Sequence, residues 1–199
     1  MYINKSTAKV LQLFTGHITE SFTLREVARR LKMHVSLTHR AIQPLINGKI
    51  VERDKHKNLS LNYKYHHETL AFAEYLRRDY FLDKFKDIKL FADEATNKIK
   101  QDSFVLLVFG SSVESRKPRD IDILLIVDNA NMVEFHEKFL HNIISNYDLP
   151  FEERVIGIES VYEMLSKRDG KNIMNEILNK HIILYGAELF YRLIERGRS

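Results

Sequence analysis

Apolar positions recur along this chain with two periods, and the changes between them divide it into three stretches. In residues 1–66, Ala8, Val10, Leu11, Leu13 and Phe14 form one broad apolar face and predict a first helix. Thr23 and Glu26 have the spacing of a capping box that opens a second helix, with Leu24, Val27, Ala28 and Leu31 inward. Lys32-Met33-His34 reads as a short turn before a third helix from Val35 to Asn47, with Leu37, Ala41, Ile42 and Leu45 toward the core. Pro44 lies inside that helix, where proline removes a backbone bond and clashes one turn back, so a kink or an early end is expected. Gly48 then leads to a strand at Ile50-Val51, and a second strand alternates Leu59, Leu61, Tyr63 and Tyr65. The residues between them, Arg53 to Asn58, form a polar hairpin tip.

Residues 67–100 contain neither glycine nor proline. Leu70, Phe72, Ala73, Tyr75, Leu76, Tyr80, Phe81 and Phe85, followed by Ile88, Phe91, Ala92, Ala95 and Ile99, predict two consecutive helices. In residues 101–199 the period shortens. Phe104 to Phe109 is an unbroken apolar run suited to a buried strand, and Ile123 to Val127 is a second. Asn131 and Glu134 resemble a capping box before an amphipathic helix carrying Met132, Phe135, Phe139, Leu140, Ile143, Ile144 and Tyr147. Phe151 to Ile158 predicts a third strand beside the second. Ser160 and Glu163 are placed to cap another helix, residues 172–180 read as helical, His181 to Tyr185 as a short strand, and Ala187 to Arg196 as a closing helix. The pattern therefore predicts an α+β protein.

Composition narrows the picture. The chain has 199 residues, 44% of them hydrophobic and 29% charged, which is ordinary for a globular protein. It has no cysteine, which excludes disulfides and thiolate metal sites. No apolar run approaches a membrane span, and MYINKSTAKV lacks a signal-peptide core, so a cytoplasmic protein is expected. Charge is unevenly distributed. Residues 1–66 hold twelve Lys/Arg against four Asp/Glu, a net of +8, while the remainder carries nineteen against twenty-three, a net of −4. A basic module joined to a mildly acidic one is expected when only the first meets a polyanion.

The chemistry concentrates between Ser103 and Asp128. The first apolar strand stops at Gly110-Ser111-Ser112, where a glycine permits a tight turn and nearby backbone N–H groups can face an anion. The second strand is entered through Asp120-Ile121-Asp122. Alternation puts both carboxylates on one face, where they repel each other unless a cation lies between them. Gly-Ser, eight residues, then Asp-apolar-Asp-apolar resembles the signature of the polymerase-β-like nucleotidyltransferase superfamily, especially its small prokaryotic members. Many of these have serine where this chain has Arg119.

The resemblance implies a mixed β-sheet with flanking helices over 101–199, Mg²⁺ as cofactor and a nucleoside triphosphate as substrate. It assigns Asp120 and Asp122 to the metal, and Gly110, Ser111 and Ser112 to the phosphates. Lys117 and Arg119 lie within reach of the triphosphate or face solvent. A third carboxylate on the neighbouring strand is expected from Glu152 or Glu153. These point to opposite faces, and Glu153 is favoured because it lies farther into the strand.

Residues 1–66 resemble the winged helix-turn-helix DNA-binding modules of prokaryotic regulators. The resemblance implies duplex DNA as partner, with Ser36, Thr38, His39, Arg40 and Gln43 exposed toward the major groove. Arg53, Lys55 and Lys57 would meet phosphates. Docking onto a protein partner is the alternative for this module. Residues 67–100 form a helical connector whose aromatics serve internal packing or a homodimer interface. Two functions follow: a nucleotidyltransferase with an unidentified acceptor, coupled to a DNA-binding module, or a DNA-binding transcriptional regulator or antitoxin-like protein whose transferase domain only binds nucleotide or mediates assembly.

Overall fold

The computed structural model describes residues 3–99, 103–115, 119–168 and 170–199. It is an α+β protein with two separate sheets, one of three strands and one of four. The chain begins with α1 (Lys5–Thr15), β1 (Ser21–Phe22), α2 (Leu24–Leu31), α3 (Val35–Asn47), β2 (Val51–Arg53) and β3 (Leu59–Leu61). It continues through α4 (His67–Lys84), α5 (Lys86–Lys98), β4 (Phe104–Phe109), β5 (Ile121–Val127), α6 (Val133–Ile144) and β6 (Phe151–Gly157). It closes with α7 (Ile158–Ser166), α8 (Ile173–Ile177), β7 (His181–Tyr185) and α9 (Ala187–Gly197).

The predicted capping box opens α2: Thr23 Oγ1 accepts from Glu26 N–H, and Glu26 accepts from Thr23 N–H at 2.7 Å. α3 does not end early at Pro44 but runs through it to Asn47. A proline there costs about 3 kcal/mol, which the complete burial of Ile42 and Leu45 and the near-complete burial of Ala41 help to offset. Two neighbours in α3 exchange their expected sides. Leu37 faces outward, while Thr38 is fully buried, its hydroxyl donating to His34 O at 3.0 Å. A threonine that satisfies its own hydroxyl on the preceding turn can enter a core that a hydrophobicity pattern denies it.

The first sheet is antiparallel in the order β1-β3-β2. β1 is too short to show a period, and β3 stops at Leu61, leaving Tyr65 exposed. The second sheet has the order β6-β5-β4-β7, with β5 and β6 parallel and the other pairs antiparallel. Two other expected caps differ. Asn129 caps a short 3-10 turn ahead of α6 by accepting from Asn131 N–H, and α7 starts at Ile158 directly after β6 with no side-chain cap.

The second sheet is buried on both sides. On one face Phe104, Leu106, Ile123, Leu125 and Val155 pack with Phe91 and Leu140 from α5 and α6. On the other, Val105, Leu107, Leu124 and Ile183 pack with Val161, Ile177 and Phe190 from α7 to α9. That second core continues through Leu70 and Ala73 of α4 to Val10, Phe14 and Leu45 of the N-terminal helices. Ile18 N–H donates to Leu178 O at 2.9 Å, and the Asn179 side chain exchanges hydrogen bonds with Thr19. On α4, Phe72, Tyr75 and Tyr80 remain exposed, while Leu70, Ala73 and Phe81 are buried within the chain. Among the described residues, no helix is long and apolar enough to cross a membrane.

Candidate functional site

Gly110 and Asp122 are fixed against each other by the β4/β5 pairing, which sets Phe109 opposite Asp122. Gly110 has φ of +70°, and a Cβ built on it would lie 2.5 Å from Asp122 Oδ2. Only glycine meets both requirements, since the backbone is left-handed and a carboxylate occupies the space a side chain would fill. The turn after Gly110 is a single 3-10 stretch ending at Val113.

Its three small residues are used differently. Gly110 N–H donates to Lys180 O at 3.3 Å, so that amide is engaged within the protein. Ser111 is exposed. Ser112, expected beside the phosphates, is instead buried, its hydroxyl donating to Phe109 O at 2.8 Å. That short contact closes the turn and leaves Ser111 as the serine that meets solvent. Arg119 is exposed beside Asp120. Lys117 lies outside the described residues.

Asp122 lies on the α7–α9 face of the sheet, with Leu124 and Ile126. The parallel register of β5 with β6 decides which glutamate joins it. Asp122 pairs with Glu152, and Ile123 pairs with Glu153. Glu153 therefore faces the other way, and its carboxylate meets His141 Nδ1 of α6 at 2.7 Å. The expectation favouring Glu153 is corrected: depth in the strand matters less than which face the register assigns.

The electrostatics agree with this grouping. The Asp122 carboxyl is raised above the usual aspartate value, first by burial and then by the neighbouring charges of Asp120, Glu152 and Glu176, with Arg154 opposing. A cleft of about 620 Å³ opens beside it, with Phe109 and Asp122 at one side and Arg154, Lys171, Asn172 and Glu176 around it. Asn172 and Asn175 hold its outer wall. Asn172 caps α8 and donates to Met164 O, while Asn175 donates to Lys167 O and Gly170 O.

Sequence reasoning missed Arg154, Lys171 and Glu176. Arg154 was recoverable, since it lies two residues beyond Glu152 and shares its face. Glu176 comes from α8, and no local signal links it to β5. A second cavity of about 480 Å³ lies between α5 and α6, near Asp128 and His136, and is lined by none of the expected site residues.

The donor chemistry suits a hard divalent cation. Mg²⁺ is commonly held by one or two carboxylates, with the remaining positions left for water and substrate phosphates. Among the described residues no three His, Asp or Glu side chains are gathered as a metal-ligand group. The fit therefore rests on Asp120 and Asp122, whose mutual repulsion a cation would relieve.

In the N-terminal unit, Ser36, His39 and Arg40 are exposed on α3. Gln43 is half-buried, its Nε2 3.4 Å from His39 Nε2. Thr38, expected in this exposed set, is the residue turned inward. Arg53, Lys55 and Lys57 are all exposed at the hairpin tip, which Asp54 braces by accepting from His56 N–H and Asn58 N–H, each at 2.8 Å.

A further constellation was not visible in the sequence. Glu74 of α4 is fully buried, and Tyr191 OH donates to it at 2.8 Å. Arg77 NH1 reaches it at 2.5 Å and His181 Nε2 at 3.3 Å. Arg77 also donates to His181 O at 2.6 Å. Burial pushes the Glu74 carboxyl up, but Arg77, His181 and Tyr191 more than offset this and hold it below the usual glutamate value. Tyr191, buried beside that charge, is pushed well above the usual phenol value and stays protonated. Comparison with protein-family models, curated proteins and solved structures found no match to this chain.

Proposed function

We propose that the chain is a Mg²⁺-dependent nucleotidyltransferase carried on a winged-helix module that binds duplex DNA. The observation that carries the reading is the contact between the left-handed Gly110 turn and the Asp122 carboxylate, at the edge of a cleft lined by Arg154 and Lys171. In the reaction, an acceptor hydroxyl oxygen bonds to the α-phosphorus of a nucleoside triphosphate. The bond from that phosphorus to the bridging oxygen breaks, pyrophosphate leaves, and the hydroxyl proton passes to a base. Mg²⁺ bound by Asp120 and Asp122 would supply charge neutralisation for the phosphates. Glu152, set beside Asp122 by the strand register, is assigned as the proton acceptor. Arg154 and Lys171 are assigned to the phosphate oxygens, and Ser111 to the mouth of the turn.

Incubation with α-labelled triphosphates and Mg²⁺ tests this, following label onto the protein itself, RNA and candidate protein acceptors. Mg²⁺-dependent transfer that Glu152→Gln lowers about 10²–10⁴-fold, with triphosphate affinity nearly unchanged, supports the assignment. Transfer that survives Glu152→Gln but fails with Glu153→Gln would overturn it. One observation favours the regulator reading: Gly110 N–H and the Ser112 hydroxyl are both engaged by backbone carbonyls, which leaves fewer turn donors for a phosphate. Mg²⁺-dependent triphosphate binding with no transfer to any acceptor supports that reading.

A further inference from the structure

The outward side of α3 is not uniformly polar. Val35 is 47% exposed and Leu37 is 37% exposed, on either side of the exposed Ser36, His39 and Arg40. These two branched aliphatic residues stand in the first turn of α3, at opposite edges of its exposed face. They stand within a unit of net charge +8, and its hairpin tip carries the exposed Arg53, Lys55 and Lys57. An acidic partner complements that charge, and the apolar pair requires one that also offers apolar groups at the depth a helix reaches.

Duplex DNA satisfies both conditions. Its major groove admits an α-helix, and the thymine C5-methyl is the apolar group on the base edges there. RNA duplexes fit poorly, because their major groove is deep and narrow and side chains cannot read it.

Resting on the reading of residues 1–66 as a duplex-binding module, we propose that Val35 and Leu37 read thymine methyl groups, so that α3 selects thymine-containing sites. Arg40, exposed three residues beyond Leu37, carries the fork geometry that suits guanine O6 and N7. Thr38, whose hydroxyl is spent on His34 O, takes no part in readout. The selected site therefore pairs thymine at the positions of the aliphatic side chains with guanine near Arg40.

The test uses the full chain and the tightest duplex selected from a random-sequence pool. Each thymine is replaced in turn by deoxyuridine, which removes only the methyl group. Replacement at one or two positions weakens binding about 4-fold each, the effect of one buried methyl-sized group. At those positions Val35→Ala or Leu37→Ala abolishes the difference between thymine and uracil, and leaves that difference unaltered at every other thymine. Binding that is salt-sensitive yet indifferent to every thymine-to-uracil replacement overturns this inference while leaving the DNA-binding reading intact. Absence of binding to every duplex overturns both. Loss of self-association in the alanine variants without any change on DNA also overturns it, and makes the aliphatic pair a protein contact.

Discussion

Two groups of charged side chains in this protein face opposite circumstances. Glu74 is fully enclosed, yet Arg77, His181 and Tyr191 converge on it, and its carboxyl is held below the usual value. Asp122 is only partly enclosed, yet its carboxyl is raised, first by burial and then by the charges of Asp120, Glu152 and Glu176, which Arg154 only partly opposes. The first group completes itself. The second leaves like charges facing one another beside a cleft, a cost that folding alone does not relieve and that a bound cation would. The comparison separates a charge satisfied within the fold from charges that the proposed function assigns to a ligand.

Breaking the first group should have the largest effect. Glu74→Ala takes the carboxylate away from the fully buried His181 and the half-buried Arg77, and losses of this kind are about 3–5 kcal/mol. Urea unfolding should show it, and a loss under about 1 kcal/mol would contradict the account. The pH dependence follows from the sign of the shift. A lowered carboxyl stabilises the fold above its unfolded-state pKa, and that stability is lost as pH falls through the folded value. Acid should therefore unfold the unaltered protein more steeply than the Glu74→Ala variant.

A gentler cut is Tyr191→Phe, which removes one donor to the buried carboxylate. A hydrogen bond to a charged group contributes about 1.5–3 kcal/mol, so unfolding should show a loss in that range.

Gly110→Ala connects the comparison to the site. The left-handed backbone costs a non-glycine residue roughly 1–2 kcal/mol, and the added methyl would displace the Asp122 carboxylate. The variant should lose Mg²⁺-dependent triphosphate binding, as measured by calorimetric titration, along with that modest stability. Full binding by a folded Gly110→Ala protein would remove the turn from the site.

Asp122→Asn should give the smallest change in stability, and with the opposite sign. A raised carboxyl destabilises the fold as pH rises through it, so removing the charge should raise the melting temperature in metal-free buffer near neutral pH. Solvent screening keeps the gain to a fraction of about 1 kcal/mol. A lowered melting temperature would mean that Asp122 is paired after all.

The comparison also shows what the sequence makes legible. The runs Phe104 to Phe109 and Ile123 to Val127 announce buried strands because both faces are covered, and Thr23 with Glu26 announces a helix start through local chemistry alone. Alternation predicts Asp120 beside Asp122, and the Asp120 charge is among those that raise the Asp122 carboxyl, although β5 itself begins at Ile121. Alternation does not choose between Glu152 and Glu153, because that choice depends on how β6 aligns with β5. Glu74 looks like a surface residue beside Ala73 and Tyr75, since partners from α9 and β7 reach it across more than a hundred positions. Thr38 and Leu37 trade places for a smaller reason, a hydroxyl satisfied one turn back.

The most direct test of the central claim is a titration of ATP and the other nucleoside triphosphates into the metal-free protein and the Mg²⁺-loaded protein, across pH. Each condition is repeated with the Asp120→Asn/Asp122→Asn double variant. Cation binding competes with protonation of Asp122, whose carboxyl is raised. The account therefore predicts that Mg²⁺-dependent affinity climbs as pH rises through that value, and that the double variant loses both the Mg²⁺ effect and the pH dependence. Triphosphate affinity that is equal with and without Mg²⁺, or unchanged in the double variant, would contradict it.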